Sequence, residues 1–447
     1  MESGLLSPLF STPAMREALS DASRIAAMLA FEAALARAEV EAGLIPPQSG
    51  DAIAVACRSF TADIGALAQA TRIAGNPAIP LVKALTAHCE GPGRGWVHWG
   101  ATSQDVIDTA ASLVGRRAAA LLDEDLVHLC DALAALAATH RNTVMAGRTL
   151  LQPALPVTLG FKAAQWLDMA MRCRDRLQEA VDVACILQFG GAAGTLAALG
   201  PSAGVVRDAL GRLLALPVPP LAWHASRDRV ARLGCELAVL TGALAKVAGD
   251  IVLLMQAEVG EAFEPAAPGK GGSSTMPQKR NPVAAPAVRA AALRANGLAA
   301  DLIAALPQEH ERGAGGWHME WTVLPDLFLG TAGALSHVRD VIEGLEVDSA
   351  RMRANLEIGG GALMAEALMM ALAPQLGRHE AHHLVQRLVK RAVAGNRSLR
   401  EAALEDDTAV STLGTDRIER VLQPEDYLGV AGESIDEAVA RWTRRRN

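Results

Sequence analysis

Apolar residues recur at spacings of three and four along most of the chain, and alternation at a spacing of two is nearly absent, so the pattern predicts helices rather than strands. One run covers 14–43 and stops at Gly43, with Pro46-Pro47 beyond it. Shorter helical pieces follow to about Cys89, and Glu90-Gly91-Pro92-Gly93-Arg94-Gly95 reads as a loop. Thr102 or Ser103 then suits the cap of a helix that reaches His140. Further alanine- and leucine-rich runs cover 154–187, 226–258, 282–306 and 318–344, each too long for a strand. Five runs of this length predict an all-α fold built on a long-helix bundle. Beyond Asp348 the helices shorten and carry more charge, with breaks at Gly359-Gly360-Gly361, Gly377 and Gly395. The expected division is an N-terminal helical domain over 1–102, a central bundle domain over 103–348 and a small C-terminal helical domain over 349–447.

Composition supports a large core: 51% of the 447 residues are hydrophobic and 20% charged. The net charge of −7, with no basic tract beyond Arg444-Arg445-Arg446, argues against a nucleic-acid or membrane-surface partner. Any anionic ligand must therefore be met by a local cluster. The six cysteines, at 57, 89, 130, 173, 185 and 235, form no close pairs and read as reduced thiols, which makes the cytoplasm the expected location. The N-terminus shows no basic region followed by an apolar core, and the apolar run 237–255 is broken by Lys246 and Asp250, so no membrane span is expected.

Candidate chemistry concentrates in 269–282, where Gly269, Gly271 and Gly272 free the backbone and Lys270, Lys279 and Arg280 supply charge directly before a helix. Asn281 suits the N-cap and Pro282 the first helical position, and the helix's positive end would face the same ligand as Lys279. A nucleotide-cradling loop is excluded, because Lys270 is followed by Gly271 and no strand precedes it. Four more polar or glycine-bearing segments interrupt or cap the long helices: 98–105, 147–152, 188–195 and 308–312. His379-Glu380-Ala381-His382-His383 formally fits the zinc-peptidase helix pattern, with Glu401 as a conceivable third ligand, but lacks the glycine-rich or strand context of a protease cleft. No metal or other cofactor is expected.

Gly272-Ser273-Ser274-Thr275-Met276-Pro277-Gln278-Lys279-Arg280-Asn281-Pro282 resembles the signature loop of the fumarase/aspartase superfamily. His98-x-Gly100-x-Thr102-Ser103-x-Asp105 is similar to that superfamily's first signature region, and Gly147-Arg148-Thr149-x-x-Gln152 to its second. The resemblance covers essentially the whole chain. It implies a three-domain helical fold and a homotetramer whose central domains form a twenty-helix bundle, with each active site built from loops of three subunits. It also implies addition or elimination next to a carboxylate, through a carbanion held as an aci-carboxylate. Ser273 would transfer the proton, and Lys279 and Asn281 would bind the carboxylate where charge builds. Thr102 and Ser103 resemble carboxylate-binding residues, and Ser274 sits in the same signature loop.

The informative departure is Leu150, which stands where members that expel ammonia, amines or water have a histidine. Those leaving groups need a general acid, whereas a carboxylate, with a pKa near 4, needs none. The departure suits a reaction in which a carboxylate is itself the attacking and leaving group, such as an intramolecular lactonisation. Segments 187–200, 263–272 and 307–312, with Trp317-His318-x-Glu320-Trp321, resemble the superfamily's branch of bacterial 3-carboxy-cis,cis-muconate cycloisomerases. In that setting Ser273 or Lys279 is the proton donor to carbon, and His98 orients a carboxylate or shuttles the proton. Arg148, Arg227 and Arg312 are candidates to pair with the small trianionic substrate, and Thr149, Gln152 and Thr195 to add hydrogen bonds. The alternatives are a carbon–nitrogen lyase such as adenylosuccinate lyase, which Leu150 disfavours, and a non-catalytic structural tetramer, which the presence of Ser273, Lys279 and Asn281 disfavours.

Overall fold

The structure, a computed structural model, describes residues 4–272, 276 and 279–446. Two short helices, Ser7–Phe10 and Pro13–Ala18, precede α1 (Asp21–Glu41) and α2 (Pro47–Ser59). The long α3 (Ser103–Thr139) leads into a hairpin of β1 (Val144–Thr149) and β2 (Gln152–Thr158) and then α4 (Leu159–Ala184). The long helices continue with α5 (Asp228–Leu254), α6 (Ala284–Ala304) and α7 (Gly316–Glu343). A two-residue strand, Ala262–Phe263, pairs antiparallel with Glu346–Val347, and shorter helices run from Ser349–Asn355 to Ala431–Arg446. Backbone contacts group the chain into two units. The first holds Met1–Asp125, Cys173–Leu244 and Ala287–Ser336, and the second Leu126–Arg172, Ala245–Pro286 and His337–Asn447.

The first unit's core follows from the helical spacing. Met28, Phe31, Leu35 and Ala38 recur along one face of α1 and are buried with Leu81, Leu85, Val106 and Val206. Phe31 meets Phe189 edge to face at 6.4 Å between ring centroids. In place of the single helix expected over 14–43 there are two, because Ser20 accepts the Ser23 N–H at 3.2 Å and starts α1 afresh. The second unit has a core of C-terminal helices, among them Leu368, Leu372, Leu384 and Leu388, and a smaller cluster of Met145, Leu159, Leu254, Ala262 and Met352 around the hairpin. By length and composition α5 could cross a bilayer, but half of that stretch is buried inside the fold, as a core helix requires.

The hairpin corrects the expectation of a helix from residue 154. Pro153 and Pro156 cannot donate to a helical ladder, and Pro153 opposes Arg148 across a register shift in β1 between Ala146 and Arg148. Leu150 and Leu151 form the two-residue turn at φ 50° and 64°, the left-handed region that a primed turn demands. A second correction concerns α6, which begins at Ala284. The Glu264 carboxylate accepts the N–H groups of Val283, Ala284 and Ala285 at 2.9–3.2 Å, so the cap comes from Glu264 and not from Asn281.

One core residue breaks the apolar rule. Glu39 on α1 is 0% exposed, and among the described residues neither of its carboxyl oxygens has a hydrogen-bond partner. Burial, with the Glu32 charge adding to it, pushes its pKa from 4.5 up to about 9. The folded chain thus keeps a proton that the unfolded chain releases, so stability declines as pH rises from about 4.5 through about 9. Glu39→Gln should flatten that decline and stabilise the protein at pH 8 by roughly 1–3 kcal/mol, read from urea midpoints at pH 5 and pH 8.

Candidate active site

In the first unit the candidate residues gather around the start of α3. Asp105, 0% exposed, accepts the N–H groups of Thr102 at 3.0 Å, Gly190 at 2.9 Å and Gly191 at 2.9 Å, and its Oδ1 lies 2.8 Å from Nε2 of His224. The 188–195 segment is thereby fastened beside Thr102 and Ser103, both half-buried at the helix's positive end. Thr195 lies on the exposed side of that segment. His98, at φ 61°, contacts Glu32 of α1 at 2.6 Å through Nδ1. Burial opposes its charge, but Glu32 and Asp105 outweigh burial and hold the imidazole above its ordinary value. Arg312 donates one N–H to the Ala192 carbonyl at 3.0 Å, while its buried Nε has no partner among the described residues.

Arg227 does not fit the substrate-binding role expected of it. Its guanidinium is buried between Asp108, at 2.8 Å, and Glu320, which it meets through both Nε and Nη2. Asp108 also accepts from Trp317 at 2.9 Å, Gln104 at 3.1 Å and Gln188 at 3.3 Å. Burial alone would lower the Arg227 pKa, but the two carboxylates hold it above the ordinary arginine range. Burial raises the Glu320 carboxyl against the pull of Arg227. With both carboxylates engaged, this arginine builds the scaffold under the site.

In the second unit Arg148 is also paired. Glu261 takes both of its terminal nitrogens, at 2.7 and 2.9 Å, and accepts from Asn355 at 2.7 Å, so this fork orients the hairpin instead of standing free for substrate. Thr149 and Gln152 flank the turn and are exposed, and Leu150 projects at 97% exposure. The base of the signature loop is pinned: the Asn281 N–H and side-chain amide donate to the Gly271 carbonyl at 2.9 and 3.2 Å. Arg280 grips Glu346 at 2.7 and 2.8 Å and donates to the Glu264 carbonyl. Glu264, Lys270, Lys279 and Asn281 line one open cavity, with Lys279 exposed. Ser273 and Ser274 lie outside the described residues. His379, Glu380, His382 and His383 are exposed on the helix Arg378–Ala394, and among the described residues no group of three or more His, Cys, Asp or Glu could hold a metal.

Sequence reasoning gave no role to the acids that organise these groups: Glu32, Asp108, Glu261, Glu264 and Glu320 sit inside helices or beside strands, where a lone carboxylate reads as surface. Their signal was faint: Glu32 interrupts the buried face of α1, and Glu264 directly precedes the proline-flanked loop.

The family model described as "Lyase" matches residues 10–297, and one described as "Adenylosuccinate lyase C-terminus" matches residues 361–438. A 3-carboxy-cis,cis-muconate cycloisomerase of Bradyrhizobium diazoefficiens is 50% identical over 437 residues, covering 97% of each chain. The chain belongs to the fumarase/aspartase superfamily of lyases. A superfamily member from Pseudomonas aeruginosa, also named 3-carboxy-cis,cis-muconate cycloisomerase, is 48% identical and covers 98% of this chain and 96% of its own. The crystal structure of a 3-carboxy-cis,cis-muconate lactonizing enzyme from Pseudomonas putida superposes with a TM-score of 0.94 at 46% identity, covering all of both chains.

Within this superfamily scaffold Arg227 is the test of the buried network. Arg227→Met leaves Asp108 and Glu320 in the interior without a counter-charge, and should cost about 3–5 kcal/mol in a urea unfolding midpoint.

Proposed function

We propose that the protein lactonises 3-carboxy-cis,cis-muconate to 4-carboxymuconolactone, the ring-closing step of protocatechuate breakdown. The observation that carries this reading is end-to-end likeness, at 48–50% identity, to superfamily members that bear the cycloisomerase name. Leu150 agrees with it: the hairpin tip offers no general acid, and a carboxylate nucleophile requires none. One substrate carboxylate attacks the carbon bearing the 3-carboxylate, forming the ring C–O bond. The electron pair of the double bond passes to the carbon next to the distal carboxylate and is held there as an aci-carboxylate. That carbon then takes a proton from Ser273 or Lys279.

Lys279 and Asn281 bind the carboxylate that gains charge, Thr102 and Ser103 hold another at the α3 N-terminus, and Arg312 keeps donors available for a third. Thr149, Gln152, Thr195 and Ser274 contribute hydrogen bonds. The working form is a homotetramer in which three subunits complete each site, a reading supported by the superfamily resemblance. That the six cysteines form no disulfide among the described residues supports a cytoplasmic location.

Chelator-treated protein should abolish the conjugated-diene absorbance of 3-carboxy-cis,cis-muconate and leave adenylosuccinate untouched. Turnover of adenylosuccinate alone would overturn the reading. Ser273→Ala and Lys279→Met should each lower kcat by about 10²–10⁴. Unchanged turnover in one of them assigns the proton to the other.

A further inference from the structure

Glu32 lies on α1, outside every segment that carries the superfamily motifs, and is 1% exposed. Its Oε1 contacts Nδ1 of His98 at 2.6 Å, and its Oε2 is buried with no hydrogen-bond partner among the described residues. A carboxylate withdrawn this far from water is costly unless a cation or several donors face it, and the group that faces Glu32 is His98. The imidazole is held by that one nitrogen. Its Nε2 makes no hydrogen bond among the described residues, and 16% of the side chain stays exposed. His98 stands four residues before Thr102, and its backbone sits in the left-handed region, a conformation that surrounding contacts must impose on a non-glycine residue.

We propose that Glu32 is a positioning residue for the lactonisation: by accepting the Nδ1–H of His98 it fixes the ring and its positive charge, so that Nε2–H donates to a carboxylate of the substrate. This rests on the reaction proposed above. The other titratable groups near the pair are consistent with it. Asp105 on α3 adds attraction for an imidazolium. Glu39, two turns along α1 from Glu32, keeps its proton and so does not compete for the charge. Cys57 on α2, raised to about 12 by burial and by Glu32, is a neutral thiol. A histidine that donates through both nitrogens, one to a buried acid and one outward, acts as a fixed cation instead of a proton shuttle.

The test labels histidine in the full-length protein with ¹³C, assigns the His98 signal with His98→Gln, and follows its titration by NMR in wild type, Glu32→Gln and Glu32→Asp. Glu32→Gln should move the His98 titration down by about one unit or more, and Glu32→Asp should restore part of it. KM for 3-carboxy-cis,cis-muconate should rise about tenfold in Glu32→Gln while kcat falls less, and Glu32→Gln should add nothing in the His98→Gln background. A His98 titration unmoved by the substitution, or a Glu32→Gln loss of equal size with and without His98, overturns the proposal. Should Glu32→Gln fail to fold, Glu32→Asp carries the same titration reading, and an unshifted signal there overturns it equally. The titration involves no turnover, so it stands or falls independently of the substrate assignment.

Discussion

The first unit depends on the carboxylate of Asp105. A buried charge survives only where its lone pairs are met, and here three backbone N–H groups and the His224 ring meet them at 2.8–3.0 Å. Two of those donors belong to Gly190 and Gly191, and both positions need glycine. A Cβ on Gly190 would lie 2.5 Å from Ala222, and Gly191 takes φ +66° with the Gly100 carbonyl at 3.1 Å from the missing Cβ. One carboxylate thus joins the first turn of α3 to the glycine segment, and His98, Thr102 and Thr195 inherit their placement from that junction.

The same device recurs elsewhere. Asp108 and Glu320 close on Arg227 beneath the site, Glu261 orients Arg148 on the hairpin, and Glu264 caps α6 while Lys270 stands 3.6 Å away. In each case a carboxylate holds a cation or a helix end in place. Buried acids of this kind add little net stability, because desolvation offsets much of the attraction, but they restrict the alternative placements of the groups they hold. That trade suits a site whose ligand groups sit on connections between helices, where packing alone would leave them loose.

This division also accounts for what could be read from the chain. The long helices were legible because Met28, Phe31 and Leu35, and their counterparts in later runs, repeat at the helical period. The loop 269–282 and the α3 start were legible because motif residues cluster there in sequence. The hairpin was not, since its prolines lie within an apolar run and its turn carries two leucines where glycine or asparagine would signal a primed turn. Nor was the scaffold role of Arg227: its partners lie 119 and 93 residues away, a pairing that no local pattern encodes.

The turn itself bears on the chemistry. Leu150 and Leu151 both adopt left-handed φ, at a cost of about 1–3 kcal/mol each, and expose their side chains at 97% and 69%. Glycine would relieve that strain but enlarge the conformational freedom of the unfolded chain, so the two effects oppose each other at this turn. What distinguishes leucine from histidine at this tip is its chemistry: with no titratable group, Leu150 can neither give a proton to the attacking carboxylate nor take one from it, and a carboxylate nucleophile needs neither.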